Sequence, residues 1–288
     1  MLITRIVDAL VNAQAVWADP FGKLMQAIFR TILRPIPPLK DFLHGTWLGH
    51  PLHPLLTDVP VGAFTVALLL DLLGMRDAAA PVVAFGILAM LATMVAGYAD
   101  YIDIDVDGPP RRYGSVHQTL MLLSLVCYFV SGGMRYGQFG GPGSIEVPLS
   151  VLGYLLLAAG AFLGGDIVFR QGMQVDRHAW RDAGDKWRPL DITDVPADTP
   201  TKAKAGSQTL VVVRHGEKLF ALHDTCSHQG CSLSEGKLVD DGRRIECGCH
   251  GSRFELADGS LNRGPAVYRQ PAYEVRRSEG KIEVKART

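Results

Sequence analysis

The chain has 288 residues, 48% of them hydrophobic and 20% charged, with Lys+Arg and Asp+Glu both at 29 and a formal charge of zero. A soluble globular chain carries about 25% charged residues, so this composition is shifted toward the apolar, at a length that suits one or two domains. A neutral chain lacks the basic footprint of a nucleic-acid binder, and that class is excluded. The apolar excess is also uneven: no Lys occurs between Lys40 and Lys186, whereas Lys, Glu and turn residues crowd the C-terminal third.

Near the start, Phe21, Leu24, Met25, Ile28, Phe29, Ile32 and Leu33 recur at the i, i+3, i+4 spacing of one helical face. Lys23, Gln26, Arg30 and Arg34 fall on the other face, and Pro35, Pro37 and Pro38 end the pattern. Residues 1–40 read as amphipathic helices lying in a membrane interface, in preference to packing on a bundle. Four apolar runs follow, at 59–75, 78–99, 113–134 and 147–165. The first contains only Asp71 as a charged residue, and the other three contain none. Crossing hydrocarbon takes about 20 apolar residues, whereas helices of soluble proteins average about 12. The runs therefore predict a four-span membrane domain over 41–178.

Arg5, Lys23, Arg30, Arg34, Lys40, Arg111, Arg112, Arg170, Arg177, Arg181, Lys186 and Arg188 fall on the side of the termini. Only Arg76 and Arg135 fall on the other. That bias predicts cytoplasmic termini in a multi-pass protein of the inner (cytoplasmic) membrane. No signal-peptide or twin-Arg pattern opens the chain. His50 and His53 precede the first span, His117 opens the third and His178 follows the fourth, all near the cytoplasmic face. Ionisable groups at membrane depth are functional candidates, and helical bundles hold haem between facing imidazoles. These four histidines are candidates for binding haem b or quinone, against the alternative that they bond headgroups and helix ends. Cys127, mid-span among Leu, Val and Phe, reads as core packing.

The run Gly49-His50-Pro51-Leu52-His53-Pro54-Leu55-Leu56-Thr57-Asp58-Val59-Pro60 carries a resemblance, together with Arg111-Arg112 before His117 and Gly164-Gly165-Asp166. It resembles an uncharacterised bacterial family of four-helix membrane domains. The resemblance implies the bundle and no chemistry.

Beyond Trp187 the runs are short and β-branched. Residues 209–213 and 219–222 flank a turn at His215-Gly216, and 273–276 and 282–284 flank Ser278-Glu279-Gly280. They predict a small antiparallel β domain over 190–288, with 194–206, rich in Asp, Pro, Lys and Ala, as a loop. The expected fold class is α+β, a four-helix transmembrane bundle followed by that domain.

Two motifs stand out, Cys226-Ser227-His228-Gln229-Gly230-Cys231 and Cys247-Gly248-Cys249-His250-Gly251-Ser252-Arg253-Phe254. Two thiolates and two imidazoles from two loops could bind tetrahedral zinc or a [2Fe–2S] cluster with one His-ligated iron. The second Cys in each loop, and Gly230 and Gly251, which let backbone amides approach sulfur, favour the cluster. Gly264-Pro265-Ala266 could close over the site.

These motifs resemble the Rieske iron–sulfur domain. The resemblance implies that Cys226 and Cys247 bind one iron, and His228 and His250 the other. The extra cysteines are similar to those of the cytochrome bc subtype, which implies a Cys231–Cys249 disulfide and a hydrogen bond from Ser252 to bridging sulfide. Phe254 stands where high-potential members have Tyr, and Gly248 where they often have Pro, which implies a potential below the quinol-oxidising members. The loop 229–246 is similar in length to that of Rieske ferredoxins. Neutral imidazoles in place of thiolates put such centres at about −150 to +300 mV, against about −400 mV for plant-type ferredoxins. Disulfides rarely persist in a cytosol, so Cys231 and Cys249 are expected as a buried disulfide that resists exchange or as thiols, the alternative being that the cluster domain is not cytoplasmic. The function expected is single-electron transfer from a lipid-embedded anchor, between a donor and an acceptor that are redox proteins or quinone. The alternative is a quinone- or haem-linked membrane oxidoreductase that uses the cluster as its relay.

Overall fold

The computed structural model describes residues 2–287 apart from 107, 140–142, 144 and 180–185, so Arg181 of the charge bias lies outside the described residues. The chain divides into two compact units, Met1–Leu43 with Leu52–Gly172, and His44–Pro51 with Met173–Thr288.

In the first unit, α1 (Leu2–Ala13), α2 (Ala15–Leu33) and α3 (Pro37–His44) precede four long helices. These are α4 (Leu52–Leu72), α5 (Arg76–Tyr101), α6 (Pro109–Arg135) and α7 (Glu146–Gly165), the last running into a π-helical turn at Asp166–Arg170. All four are long and apolar enough to cross a membrane. All four start before their apolar runs, α4 and α6 by a turn or more. Proline in a first turn costs no hydrogen bond, because those N–H groups have no partner within the helix. Pro54 therefore lets α4 begin at Leu52, which takes His53 into the helix, and Pro109 and Pro110 open α6.

α4 packs chiefly on α5, and α6 on α7. Phe64, Ala67, Val83, Met90, Tyr128 and Leu157 form the centre, with Phe64 stacked on Tyr128 at 3.6 Å between ring centres. Glycine makes that stack reachable, since a Cβ at Gly86 would lie 2.7 Å from the Phe64 ring. Asp71, the lone charge of the first apolar run, is met by Arg135 through hydrogen bonds of 2.8 and 2.6 Å, with the two side chains 0% and 3% exposed. Ser131 and Ser150 accept from the same guanidinium.

α2 departs from the amphipathic reading. It packs on α5 and α6 through Ala18, Gly22, Gln26 and Leu33, while Leu24, Ile28 and Ile32 face outward. Gln26, placed by the periodicity on the polar outer face, is buried and donates to the carbonyls of Tyr101 and Ile104 at 3.1 and 3.0 Å. Tyr101 ends α5 and Ile104 lies just beyond it, so the buried amide serves the chain where that helix gives out. Charge docks the same segment: Arg112 forks Asp19 at 2.9 and 2.7 Å, Arg170 donates to Asp8 at 2.8 Å, and Tyr113 also donates to Asp8. The Tyr113 hydroxyl first, then Arg170, holds the Asp8 carboxyl below the ordinary carboxylate range, and Arg112 does the same to Asp19.

Among its described residues the second unit carries ten strands: β1 (Arg188–Pro189), β2 (Thr201–Ala205), β3 (Gln208–His215), β4 (Lys218–His223), β5 (Lys237–Val239), β6 (Arg244–Glu246), β7 (Arg253–Glu255), β8 (Leu261–Arg263), β9 (Ala272–Ser278) and β10 (Lys281–Ala286). They form two antiparallel sheets, ordered β1-β10-β9-β4-β3-β2 and β5-β6-β7-β8. Gly216 at φ +58° turns β3 into β4, and Glu279 and Gly280 at +49° and +76° turn β9 into β10. Such left-handed two-residue turns match the twist of the strands they join. β2 corrects the expected loop: in Thr201-Lys202-Ala203-Lys204-Ala205 the alanines are buried and the lysines exposed, a period-2 pattern hidden by the small size of Ala. β3 is buried on both faces. Leu210 and Val212 enter one core with Ile282 and Val284, and Val211 and Val213 enter another with Leu233, Ile245, Phe254, Cys226 and Cys247.

Candidate metal centre

Two loops of the second unit bring the chemistry together. The first leads from β4 to β5 and the second joins β6 to β7. Their backbones share one frame. Cys226 N–H donates to Cys231 O at 2.8 Å and Gly230 N–H to Cys226 O at 2.9 Å. Cys247 N–H donates to Ser252 O at 2.8 Å and Gly251 N–H to Cys247 O at 3.0 Å. Gly230 and Gly251 take φ of +86° and +81°, a region a Cβ disfavours. In each loop two backbone N–H groups then serve the leading sulfur, those of His228 and Gln229 at Cys226 and those of Cys249 and His250 at Cys247.

Both leading cysteines are buried, at 1% and 2% exposure, and share a hydrogen bond. That bond, helped by the amides of Cys249 and His250, pulls the Cys247 thiol down to about 6, and the Cys226 thiol rises well above its ordinary value. One proton serves two buried sulfurs surrounded by N–H donors, an arrangement suited to two thiolates on a cation. The His228 and His250 rings lie 4.8 Å apart between centres and nearly perpendicular, at 81°. With metal–nitrogen bonds of about 2.0 Å, two imidazoles on neighbouring tetrahedral positions of one metal have ring centres about 5 Å apart. The donor set fits a cluster with a two-sulfur iron and a two-nitrogen iron.

Supporting contacts surround the loops. Cys231 and Cys249 are joined by a disulfide, and the Cys247 sulfur lies within 4.8 Å of both of its sulfurs. Ser252, wholly buried, accepts from Ala266 N–H at 3.0 Å through its hydroxyl, so the Gly264-Pro265-Ala266 turn does close on the second loop. Phe254 is fully buried on β7 beside that loop. Around Asp224, burial raises the carboxyl, but hydrogen bonds from Ser232 and Ser234 and the Lys202 charge outweigh it and hold the pKa low.

The sequence reading missed the support beneath the first loop. Gln270, fully buried, accepts from Ser227 N–H at 3.1 Å and donates to the carbonyls of His223 and Thr225. A single Gln among turn residues carries no periodic signal. His178 belongs to the same support: its Nε2–H donates to Thr225 O at 2.9 Å and its ring lies 4.7 Å from that of His223. The four membrane-candidate histidines are thus divided. His50, exposed, and His178 belong to the second unit, whereas His53 on α4 and His117 on α6 come together in the first, with ring centres 6.4 Å apart.

Comparison with known proteins follows the same division. Residues 187–274 match the model of the Rieske [2Fe-2S] domain, and residues 49–177 that of a predicted membrane protein family, DUF2231. The anthranilate 1,2-dioxygenase ferredoxin subunit of Burkholderia cepacia is 36% identical over 100 residues, 34% of this chain and 91% of that protein. The chain belongs to the Rieske [2Fe–2S] family. Ferredoxin CarAc of Metapseudomonas resinovorans is 38% identical over 28% of this chain and 74% of its own length. The cytochrome b6-f complex iron-sulfur subunit of Chlorobaculum tepidum is 33% identical over 32% of this chain and 49% of its own length. Among solved structures, the ferredoxin of carbazole 1,9a-dioxygenase from Nocardioides aromaticivorans is similar over 35% of this chain and 96% of its own, at 27% identity and a TM-score of 0.32. A Rieske domain and four apolar helices therefore stand on one chain, with a disulfide between the two cluster loops.

Proposed function

We propose that this protein is a membrane-anchored one-electron carrier. The observation that carries the reading is the convergence of Cys226, Cys247, His228 and His250 in a chain that also supplies four apolar helices. Cys226 and Cys247 hold one iron and His228 and His250 the other; when bound, such a cluster takes up and gives back single electrons. The chain's own residues set its surroundings. Backbone N–H groups stabilise the thiolates, Ser252 donates to bridging sulfide, and the disulfide holds the two loops together. Residues 1–40 dock on the helices and turn Leu24, Ile28 and Ile32 to the lipid interface, 41–178 anchor the chain in the inner membrane, and 190–288 form the cluster domain on the cytoplasmic side, as the Lys and Arg bias supports. Donor and acceptor are redox proteins or quinone. A second reading, a haem- or quinone-linked oxidoreductase, draws on the His53–His117 pair.

Dithionite reduction of the purified full-length protein, followed by electron paramagnetic resonance, tests the ligand set. We expect one cluster signal, lost in Cys226→Ser, Cys247→Ser, His228→Ala and His250→Ala and kept in Cys127→Ser. Zinc without acid-labile sulfide in the wild-type protein would overturn the reading.

A further inference from the structure

The histidines of the membrane unit pose a chemical problem of their own. His53 Nδ1 lies 3.0 Å from Thr93 O on α5, and His117 Nδ1 lies 2.7 Å from Gly160 O on α7. A carbonyl only accepts, so both rings carry their proton on Nδ1 and present a lone pair at Nε2. Among the described residues, neither Nε2 has a hydrogen-bond donor. This second-layer arrangement, with the far nitrogen fixed on a carbonyl, is how metal-ligating imidazoles are oriented. All four long helices take part, α4 and α6 with the rings and α5 and α7 with the carbonyls.

The spacing specifies more. With metal–nitrogen bonds of about 2.0 Å, each ring centre sits about 3.2 Å from the metal, so two imidazoles in trans are about 6.4 Å apart. The His53 and His117 centres are 6.4 Å apart with ring planes at 81°, and a trans pair can take any twist about its common axis. Edge-to-face packing alone also permits that distance, but it gives neither Nε2 lone pair a donor among the described residues. No third His, Cys, Asp or Glu joins the pair among the described residues. A metal held in trans by these two alone must bring its equatorial ligands with it. Glycines face both rings: a Cβ at Gly97 would lie 2.8 Å from His53 Cε1, and one at Gly164 would lie 3.2 Å from His117 Cε1.

We infer that His53 and His117 are the two axial ligands of a haem held within the four-helix bundle, with Gly97 and Gly164 as positioning residues. The inference deepens the second reading above, and its failure is separable from that of the cluster assignment because the two centres have different spectra.

The test is a reduced-minus-oxidised spectrum and a pyridine haemochromogen assay on full-length protein, purified from cells supplied with a haem precursor. We expect sharp bands, iron in excess of acid-labile sulfide, and loss of the bands in His53→Ala and in His117→Ala, with His50→Ala unchanged. His117→Gly distinguishes ligand loss from misfolding, because added imidazole restores the bands. Gly97→Ala shifts the bands by moving the His53 ring. Broad bleaching alone in the wild type, whatever the haem supply, would overturn the inference and leave the cluster reading standing. So would sharp bands that persist in the His53→Ala/His117→Ala double variant. Sharp bands without a cluster signal would instead remove the electron-carrier reading and keep the haem.

Discussion

At Phe254 a phenyl ring is fully buried in the core that also holds Cys226 and Cys247, and we propose that a hydroxyl added there donates toward the cluster. Phe254→Tyr adds one donor, and a charge-assisted hydrogen bond is worth about 1.5 kcal/mol. For one electron that corresponds to a rise of about 60 mV, read by potentiometric titration; a fall would mean the hydroxyl points elsewhere. His250→Cys replaces a neutral ligand with an anionic one, and the potential should drop toward the about −400 mV of all-thiolate clusters. An unchanged potential and spectrum in that variant would remove His250 from the ligand set. Residue types at fixed spacing made this much legible, since Cys-x-His and Cys-x-Cys-His announce soft and borderline ligands directly. The frame that holds them was not legible. The N–H groups at sulfur come from the next residues of each loop but depend on how its backbone turns, and the props from Gln270 and His178 are made by chain distant in sequence, of which a single sequence carries no record.

Among the elements, α4 and α6 are held by the Asp71–Arg135 pair, and both side chains are almost wholly out of solvent. Removing one partner of a buried ion pair costs about 3–5 kcal/mol, because the other charge is left behind. Asp71→Leu and Arg135→Met should each lower the melting temperature in detergent sharply, and the double variant should recover most of the loss. Additive losses in the double variant would show that the pair acts as two independent contacts. The docking of α1 and α2 depends on pH with a sign fixed by the depressed carboxyls of Asp8 and Asp19. Groups whose pKa falls on folding stabilise above the unfolded value, about 3.9 for Asp, and lose that contribution as pH drops through the lower folded value. Proteolytic nicking of the first 33 residues should therefore be constant from neutral pH down to about 5 and accelerate only below about 4. Acceleration near pH 6 would point to a histidine instead. Apolar run length revealed the four spans, but not where α4 and α6 begin, because proline reads as a stop signal unless it falls in a first turn. Periodicity likewise assigned Gln26 to the outer face of α2, since a polar residue that serves carbonyls of another helix looks in sequence like one that serves water.

For the molecule as a whole, the disulfide and the charge bias point to different chemical surroundings. Cys231 and Cys249 are bonded across 18 residues, whereas the Lys and Arg distribution favours a cytoplasmic cluster domain. A covalent loop of that length contributes about 3 kcal/mol. Cys231→Ser/Cys249→Ser should lower cluster-domain stability by that order, seen as faster loss of the cluster signal in denaturant. If thiol treatment of the folded wild type has the same effect, solvent reaches the bond, and a reducing compartment would break it. A reporter fused after residue 288 would give the side of the membrane independently.

The chain that emerges from the fourth span does not run straight to the sheets. Arg177 lies over Gly230, its guanidinium 3.7 Å from where a Cβ would stand, and His178 is bonded to Thr225. Both contacts fall on the loop that carries Cys226 and His228. The tether is therefore fastened at the redox centre, and a pull along it loads the metal-holding loop before it loads a strand. Tension on the linker would reach the cluster as a mechanical signal, and the tether's length would set the strain at the centre as well as the reach of its domain.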